Sequence, residues 1–309
     1  MADRVRNRTA RVRQLRWRHA AYHSHEQHII IGGSPRSGTT LLRRLFDRHP
    51  DVCCGPESSL FLPGRIMLEP LAAGFGMAPA EIRAMLAASA SQGAFIDAFA
   101  VRYRELRGRR RWAEKTPLNI RHLDWIAMRY PEACIIHVVR DGRDVVCSMR
   151  EHPDRRWVSG GWVKVHRPQP IEAYASRWVR DTGAGMRLRG DPRYREVSYE
   201  DLVANPVETI TGLCAWLGET VDAAWLEAAV GGWSGPPGRD GTMAPEDSGR
   251  LSVTSYTPDD SGKPDARGGI TATSVGRWQR DLTPPEREAV RRITGARLVQ
   301  LGYAADESW

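Results

Sequence analysis

The sequence predicts an α/β protein: a P-loop-like three-layer fold with a central, mostly parallel sheet flanked by helices. Three observations predict it. Short apolar runs alternate with amphipathic helical stretches along most of the 309 residues, a rhythm that places parallel strands between two layers of helices. One run, HIII (28–31), passes directly into GGSPRSGTTLLRRL (32–45), a glycine-rich turn opening a helix. A second, CIIHVV (134–139), passes in the same way into RDGRDVVCSM (140–149).

The first buried strand is expected at about 28–32, followed by a helix over about 38–48 with Leu41, Leu42, Leu45 and Phe46 on one side. DRHPDVCCG ends that helix and leads to a short strand near 52–54, and an Ala-rich helical region fills about 78–106. RRWAEK contains a strand ending near Glu114, and NIRHLDWIAMRYP reads as an amphipathic helix closed by Pro131. CIIHVV is the clearest strand, with Asp141 placed to cap the next helix. YREVSYEDL gives a further strand and turn. NPVETITGLCAWLG and TPPEREAVRRITGARLVQLGY give helices opened by proline.

Two stretches break the rhythm. Residues 151–170 read as a loop carrying aromatics and bases. Residues 231–275, rich in Gly, Pro, Ser and Asp, read as a lid or a flexible insertion. No internal repeat or linker divides the chain, so 28–309 is expected to be a single domain preceded by a basic arm, 1–27. That arm is read as frayed or loosely docked.

The formal net charge is +8, carried almost wholly by arginine, with lysine only at 115, 164 and 263. Arginine forks suit the oxygens of phosphate and sulfate, so an anionic ligand is expected. A nucleic-acid partner would need the charge gathered into one stripe and is not expected. The five cysteines form no CxxC pair or metal-ligand series, which suits a reducing cytoplasm and no metal. The N-terminus has no apolar signal core, and no apolar stretch approaches the ~20 residues of a membrane span.

Gly33 and Gly38 keep the glycine spacing of G-x-x-x-x-G-K-[ST], yet Thr39 stands where that pattern has lysine, and Arg36 lies inside the loop. A turn between strand and helix aims backbone N–H groups and the positive end of the helix dipole at one point. Pro35, Arg36, Ser37, Gly38, Thr39 and Thr40 therefore form an expected oxyanion cradle. Without the lysine and an aspartate at the end of a second apolar strand, ordinary ATP hydrolysis is disfavoured. Arg140 leaves the end of the strongest strand, and Ser148 lies eight residues on along the next helix. Strand C-termini form the ligand crevice of a doubly wound sheet. Arg140 is thus expected to share a crevice with Arg36 and to hold a second anionic group.

These residues resemble the sulfotransferases that use 3′-phosphoadenosine 5′-phosphosulfate (PAPS). PRSGTTLL is similar to the 5′-phosphosulfate loop and VVRDGRDVVCSM to the 3′-phosphate motif, and YEDLVANP and VGRWQRDL are similar to later landmarks. Within that family, PRSGTTLLRRLFDRHPDVCCGPESS looks most like the tyrosylprotein sulfotransferase branch and its bacterial relatives. The branch carries a pair of glutamates where this chain has Pro56-Glu57. The resemblance implies transfer of a sulfuryl group from PAPS, leaving adenosine 3′,5′-bisphosphate, to a hydroxyl of a small-molecule, glycan or phenolic acceptor.

By the same resemblance Glu57 is the general base, and Lys115, in AEKTP, stabilises the leaving phosphate together with Arg36. Arg140 and Ser148 bind the 3′-phosphate. Tyr199 helps hold the nucleotide or is simply packed, and Arg277 closes over the phosphates when the 231–275 segment orders. The plain alternatives are a helix cap or arginine partner for Glu57 and an ion pair with Glu114 for Lys115. His49, His122 and His137 rank behind Glu57 as bases, since their contexts read as helix end and core. Trp157, Trp162 and Trp233 are candidates for an acceptor pocket. A small-molecule kinase with a degenerate P-loop, and a non-catalytic nucleotide- or nucleic-acid-binding protein, are the competing readings.

Overall fold

The three isoleucines of β1 (Ile29–Gly33) are fully buried, each stabilising the fold by about 1.5–3 kcal/mol. They point alternately to two cores. Ile30 packs with Phe61, Phe95, Phe99 and Trp112. Ile29 and Ile31 pack with Leu42, Leu45, Phe46 and Val138. A strand covered on both faces reads as a continuous apolar run, and its side chains divide by the period of two.

The structure is a computed structural model that describes residues 14–64, 66–152, 154–158, 161–165, 167–231 and 274–309. Around β1 lie β2 (Val52–Cys53), β3 (Arg111–Lys115), β4 (Cys134–Val139) and β7 (Tyr194–Ser198), in the order β2-β3-β1-β4-β7. Every pairing in this sheet is parallel. The chain moves to one side of β1 for β2 and β3 and to the other for β4 and β7. The crevice at the C-terminal ends of β1, β3 and β4 is therefore the switch point where ligands of such folds bind. Register sets its walls: Lys115 lies beside Ile31, and Val138 beside Gly33.

Helix α1 (14–19) precedes β1, and residues 14–27 are docked rather than loose. Arg18 Nη2 donates to the Phe61 carbonyl at 3.0 Å. Tyr22 and Ser24 hydroxyls donate to Asp97 at 2.5 Å each, and His28 Nε2 reaches the same carboxylate at 2.8 Å.

Helix α2 (Thr39–Asp47) follows the glycine-rich turn. The Ala-rich region resolves into α4 (Pro79–Ala88) and α5 (Gln92–Arg107), preceded by α3 (Leu68–Phe75). Ser91 separates α4 from α5 by capping α5, accepting from the Ala94 amide at 3.0 Å. The helix expected over 119–131 begins as a 3-10 turn (Pro117–Arg121) and becomes α6 (Leu123–Arg129) only after His122.

Helix α7 (Gly142–Glu151) is capped by Asp141 as expected, the side chain accepting from the Arg143 amide at 2.9 Å. The stretch 151–170 is not simply a loop. It contains an antiparallel hairpin, β5 (Asp154–Val158) with β6 (Gly161–Val165), whose Trp157 and Trp162 are paired edge to face. Strands this short, flanked by glycine and proline, hide their alternation from a sequence window. Helix α8 (Ile171–Met186) packs on α7 through Trp178, with Val145, Met149 and Leu298 in the same cluster. The chain continues through α9 (Tyr199–Ala204), α10 (Pro206–Leu217), α11 (Ala223–Gly231), α12 (Trp278–Asp281) and α13 (Pro284–Gln300). The expected lid or insertion at 231–275, and Trp233 with it, lies almost wholly outside the described residues.

His137 on β4 is fully buried beside Tyr194. Tyr194 gives its proton to Glu196 at 2.8 Å, so the network assigns the His137 hydrogen to Nδ1, facing the Tyr194 oxygen at 2.6 Å. Burial, with the charges of Arg189 and Arg297, lowers its pKa to about 4, against the opposing pull of Glu196. The unfolded chain binds this proton near pH 6.5 and the folded chain does not. Stability from this group is complete above pH 6.5 and falls as pH drops toward 4, by at most about 1.4 kcal/mol per unit. Denaturant titrations at pH 7 and 4.5 should show that loss, and His137→Asn should flatten it.

Candidate active site

The turn after β1 carries two left-handed residues, Arg36 (φ 74°) and Gly38 (φ 95°). The second opens α2 as its N-cap. A Cβ on Gly38 would lie 2.4 Å from Cδ2 of Tyr199, so the bare backbone is required both by its dihedral and by the ring lying on it. The positive φ of Arg36 is strain held by its surroundings, a feature common at functional sites. Pro35 is half-buried in the turn, Ser37 and Thr39 are buried, and Thr40 faces the crevice side of α2, its hydroxyl within 3.4 Å of Lys115 Nζ.

The two arginine-bearing turns meet. Arg140 Nη1 donates to the Arg36 carbonyl at 3.0 Å. Arg36 Nε donates to the Ser148 hydroxyl at 3.2 Å, tying the β1 loop to α7. The Arg140 guanidinium lies 4.4 Å from the centroid of the Tyr199 ring, within cation–π range, and its Nη2 donates to the Ser274 carbonyl at 2.6 Å. Trp178 Nε1 donates to the Arg140 carbonyl at 3.1 Å, holding the strand end from behind. Arg36, Arg140, Ser148 and Tyr199 thus form one constellation.

Its polar groups are not fully used. Ser34 Oγ, Ser37 Oγ and Arg140 Nε are buried without a hydrogen-bond partner. Buried polar atoms are seldom left this way, since each costs about 1–3 kcal/mol. Three such atoms in two facing turns, beside a helix N-terminus, fit an anionic ligand that supplies acceptors to them. The donor set therefore suits a nucleotide with two separate anionic groups.

Glu57 and Lys115 form the second half of the site. Lys115 Nζ donates to Glu57 Oε1 at 2.7 Å. The lysine side chain is 1% exposed and the glutamate 38%, so the pair joins the interior to the open crevice. The Lys115 ion pair is made with Glu57 and not with Glu114. The Glu114 carboxylate is buried and takes the hydroxyls of Ser58 (2.7 Å) and Thr116 (2.6 Å), the Ser58 amide (3.3 Å) and the Asn119 amide group. Burial raises its pKa, opposed by those hydrogen bonds.

Arg277 is held elsewhere. Its guanidinium donates to Asp281 and Glu151 at 2.5 Å each. Closing over a phosphate would require breaking both bonds. What the segment does contribute is backbone. Gly276 and Trp278 amides donate to the buried carboxylate of Asp144 at 2.8 and 3.0 Å, placing Ser274 over Arg140. Burial raises the Asp144 pKa, and those amide bonds and Arg140 work against it. Sequence reasoning did not single out Ser34, Asp144 or Glu114. For Asp144 and Glu114 the available signal was charge clustered in RDGRD and RRWAEK at the ends of strands. His49 is engaged at both ring nitrogens, by the Thr220 carbonyl and the Asp51 amide, and it stands apart from this site.

The profile of the sulfotransferase family matches residues 28–223, more than half of the chain. The chain belongs to the sulfotransferase family. Within the family it is 35% identical over 209 residues to protein-tyrosine sulfotransferase 1 of Danio rerio, covering 65% of this chain and 55% of that protein. It is 29% identical over 289 residues to nodulation protein NoeE of Sinorhizobium fredii, covering 88% of this chain and 64% of that protein. The chain spans about half or less of the length of the tyrosine sulfotransferases it matches. Its fold is shared with the sulfotransferase domain of the Synechococcus PCC 7002 olefin synthase, with TM-score 0.58 and 20% identity over 88% of this chain and 96% of that one. It is shared also with mouse sulfotransferase SULT7A1 complexed with PAP, with TM-score 0.54 and 14% identity over 91% and 87%. Among the described residues no helix is long and apolar enough to cross a membrane.

Gly38→Ala tests the cradle. The added methyl meets the Tyr199 ring and must hold φ near 95°, which costs on the order of 1–3 kcal/mol. Calorimetry should show the affinity for adenosine 3′,5′-bisphosphate weakened by about tenfold or more.

Proposed function

We propose that the protein moves a sulfuryl group from PAPS to a hydroxyl of a small-molecule, glycan or phenolic acceptor, with Glu57 as general base. The observation that carries this reading is the joining of the Arg36 and Arg140 turns into one cradle that borders the Glu57–Lys115 pair.

PAPS supplies a sulfuryl group on a 5′-phosphate oxygen and a 3′-phosphate that marks it apart from ATP. Ser34, Ser37, Thr39, Thr40 and the N-terminus of α2 would hold the 5′ end, and Arg140 with Ser148 the 3′-phosphate. Tyr199 lies against both turns and would fix the nucleotide between them. As the acceptor oxygen bonds to sulfur, the sulfur–oxygen bond to the 5′-phosphate breaks, and the acceptor proton passes to Glu57. The leaving phosphate gains charge, which Lys115 and Arg36 neutralise. Positioning and charge stabilisation dominate loose transfers of this kind.

Lys115 serves both partners. Its ammonium holds Glu57 at 2.7 Å and lies 3.4 Å from Thr40 Oγ1 at the cradle. A short swing from one to the other releases the base as the phosphate charge grows. That arrangement also accounts for the Thr at 39: the cation enters from β3 instead of from the loop.

In a thermal-shift series, adenosine 3′,5′-bisphosphate should raise Tm more than ATP or AMP at equal concentration, because only it presents a 3′-phosphate to Arg140. Equal shifts would favour a general nucleotide binder or a kinase. Glu57→Gln should keep that shift and lower sulfation by at least about a hundredfold. The readout is mass spectrometry over a panel of phenols, glycans and alcohols supplied with PAPS. Near-normal turnover in Glu57→Gln would exclude the base role.

A further inference from the structure

We propose that Glu114 is the positioning residue for the Glu57–Lys115 pair: its buried carboxylate sets the distance between base and cation without touching substrate. The inference rests on the roles given to Glu57 and Lys115 above.

The reasoning starts from cost. A carboxylate taken out of water is expensive unless it is paired or fully hydrogen-bonded. Glu114 is 1% exposed, on the side of β3 that faces the aromatic core around Phe61 and Trp112, because it lies beside Ile30 in the sheet. Among the described residues its partners are all neutral donors: Ser58 N and Oγ, Thr116 Oγ1 and Asn119 Nδ2. An apolar side chain at this point would avoid the desolvation, so the carboxylate is retained for what its acceptors hold.

Those acceptors hold the two neighbours of the catalytic pair. Ser58 follows Glu57 directly, and Thr116 follows Lys115 directly. One oxygen, Oε1, takes the hydroxyls of both, at 2.7 and 2.6 Å, and so pins the two chains at a single atom. The proton accounting closes around it. Thr116 Oγ1 gives its hydrogen to Glu114 and accepts from the Ser59 amide at 3.1 Å. Ser58 Oγ gives its hydrogen to Glu114 and accepts from the Leu60 amide at 3.2 Å. These bonds hold Ser59 in a left-handed conformation, φ 56°, that a serine adopts only under constraint. The loop carrying the half-exposed Glu57 is therefore fixed by its backbone, and the Glu114 oxygen is where that backbone is tied to β3.

A test independent of the unidentified acceptor is the reactivity of Lys115. Only three lysines are present, so acetylation by acetic anhydride can be followed at each by mass spectrometry, with exposed Lys164 as the internal reference. Glu114→Ala should raise the Lys115 rate relative to Lys164 by about tenfold or more. It should leave the thermal shift given by adenosine 3′,5′-bisphosphate unchanged. Glu114→Gln should restore protection, because its oxygen keeps the Ser58 and Thr116 bonds. Its amide can donate to Asn119 Oδ1, which has no partner in the native network, once the Asn119 amide turns over. Should Glu114→Ala fail to fold, Thr116→Val removes the same bridge with little change of shape and should give the same rise. Unchanged Lys115 protection in a folded variant overturns the proposal. So does loss of the bisphosphate shift together with protection, which would make Glu114 a general support of the fold. The outcome is separate from the base reading, which fails if Glu57→Gln turns over normally whatever Glu114 does.

Discussion

The hydrogen bond from Arg140 to the carbonyl of Arg36 is the constraint on which the site depends. It fastens the turn after β1 to the turn after β4, two strands that are neighbours only because the sheet changes winding direction between them. The bond occupies the peptide oxygen of the residue with strained dihedrals, so the strain and the contact support each other. Arg36 in turn reaches Ser148, and Tyr199 lies over both turns. Loosening any of these separates the two arginine-bearing turns.

Around that joint the protein buries several charged side chains. Glu114, Lys115, Arg140 and Asp144 are all within the interior, where an unpaired charge is costly. Each is satisfied by a different means: neutral donors for Glu114, backbone amides for Asp144, an ion pair for Lys115. Of these four, Arg140 alone keeps a buried nitrogen without a partner. What sets Arg140 Nε, Ser34 Oγ and Ser37 Oγ apart from the other partnerless buried polar atoms is that they are gathered in two facing turns.

Much of this was legible in the sequence. The apolar runs 28–31 and 134–139 name the two central strands, because a strand buried on both faces is mostly apolar without a polar alternation. The glycine-rich turn and RDGRDVVCSM name the two turns that the structure brings together, because backbone N–H groups and arginine forks are local features. Other elements were not legible. The hairpin within 151–170 reads as loop, since strands of five residues carry too few alternations. Helix α8 was not among the expected elements, and Trp178 packs it on α7. Arg277 pairs with Asp281 four residues on, and with Glu151 only because α12 packs against α7.

The sequence by itself determined the fold class, the two arginine-bearing turns and the residue types able to hold two anions, because each is written in consecutive residues. Only the tertiary structure decided which charges meet. Lys115 has an acidic neighbour in Glu114 and pairs instead with Glu57, because successive side chains of a strand point to opposite faces. Glu114 is left in the aromatic core to collect the hydroxyls of Ser58 and Thr116. A partner fifty-eight residues away is chosen by the crossing of chains, and that choice has no signature in the local sequence.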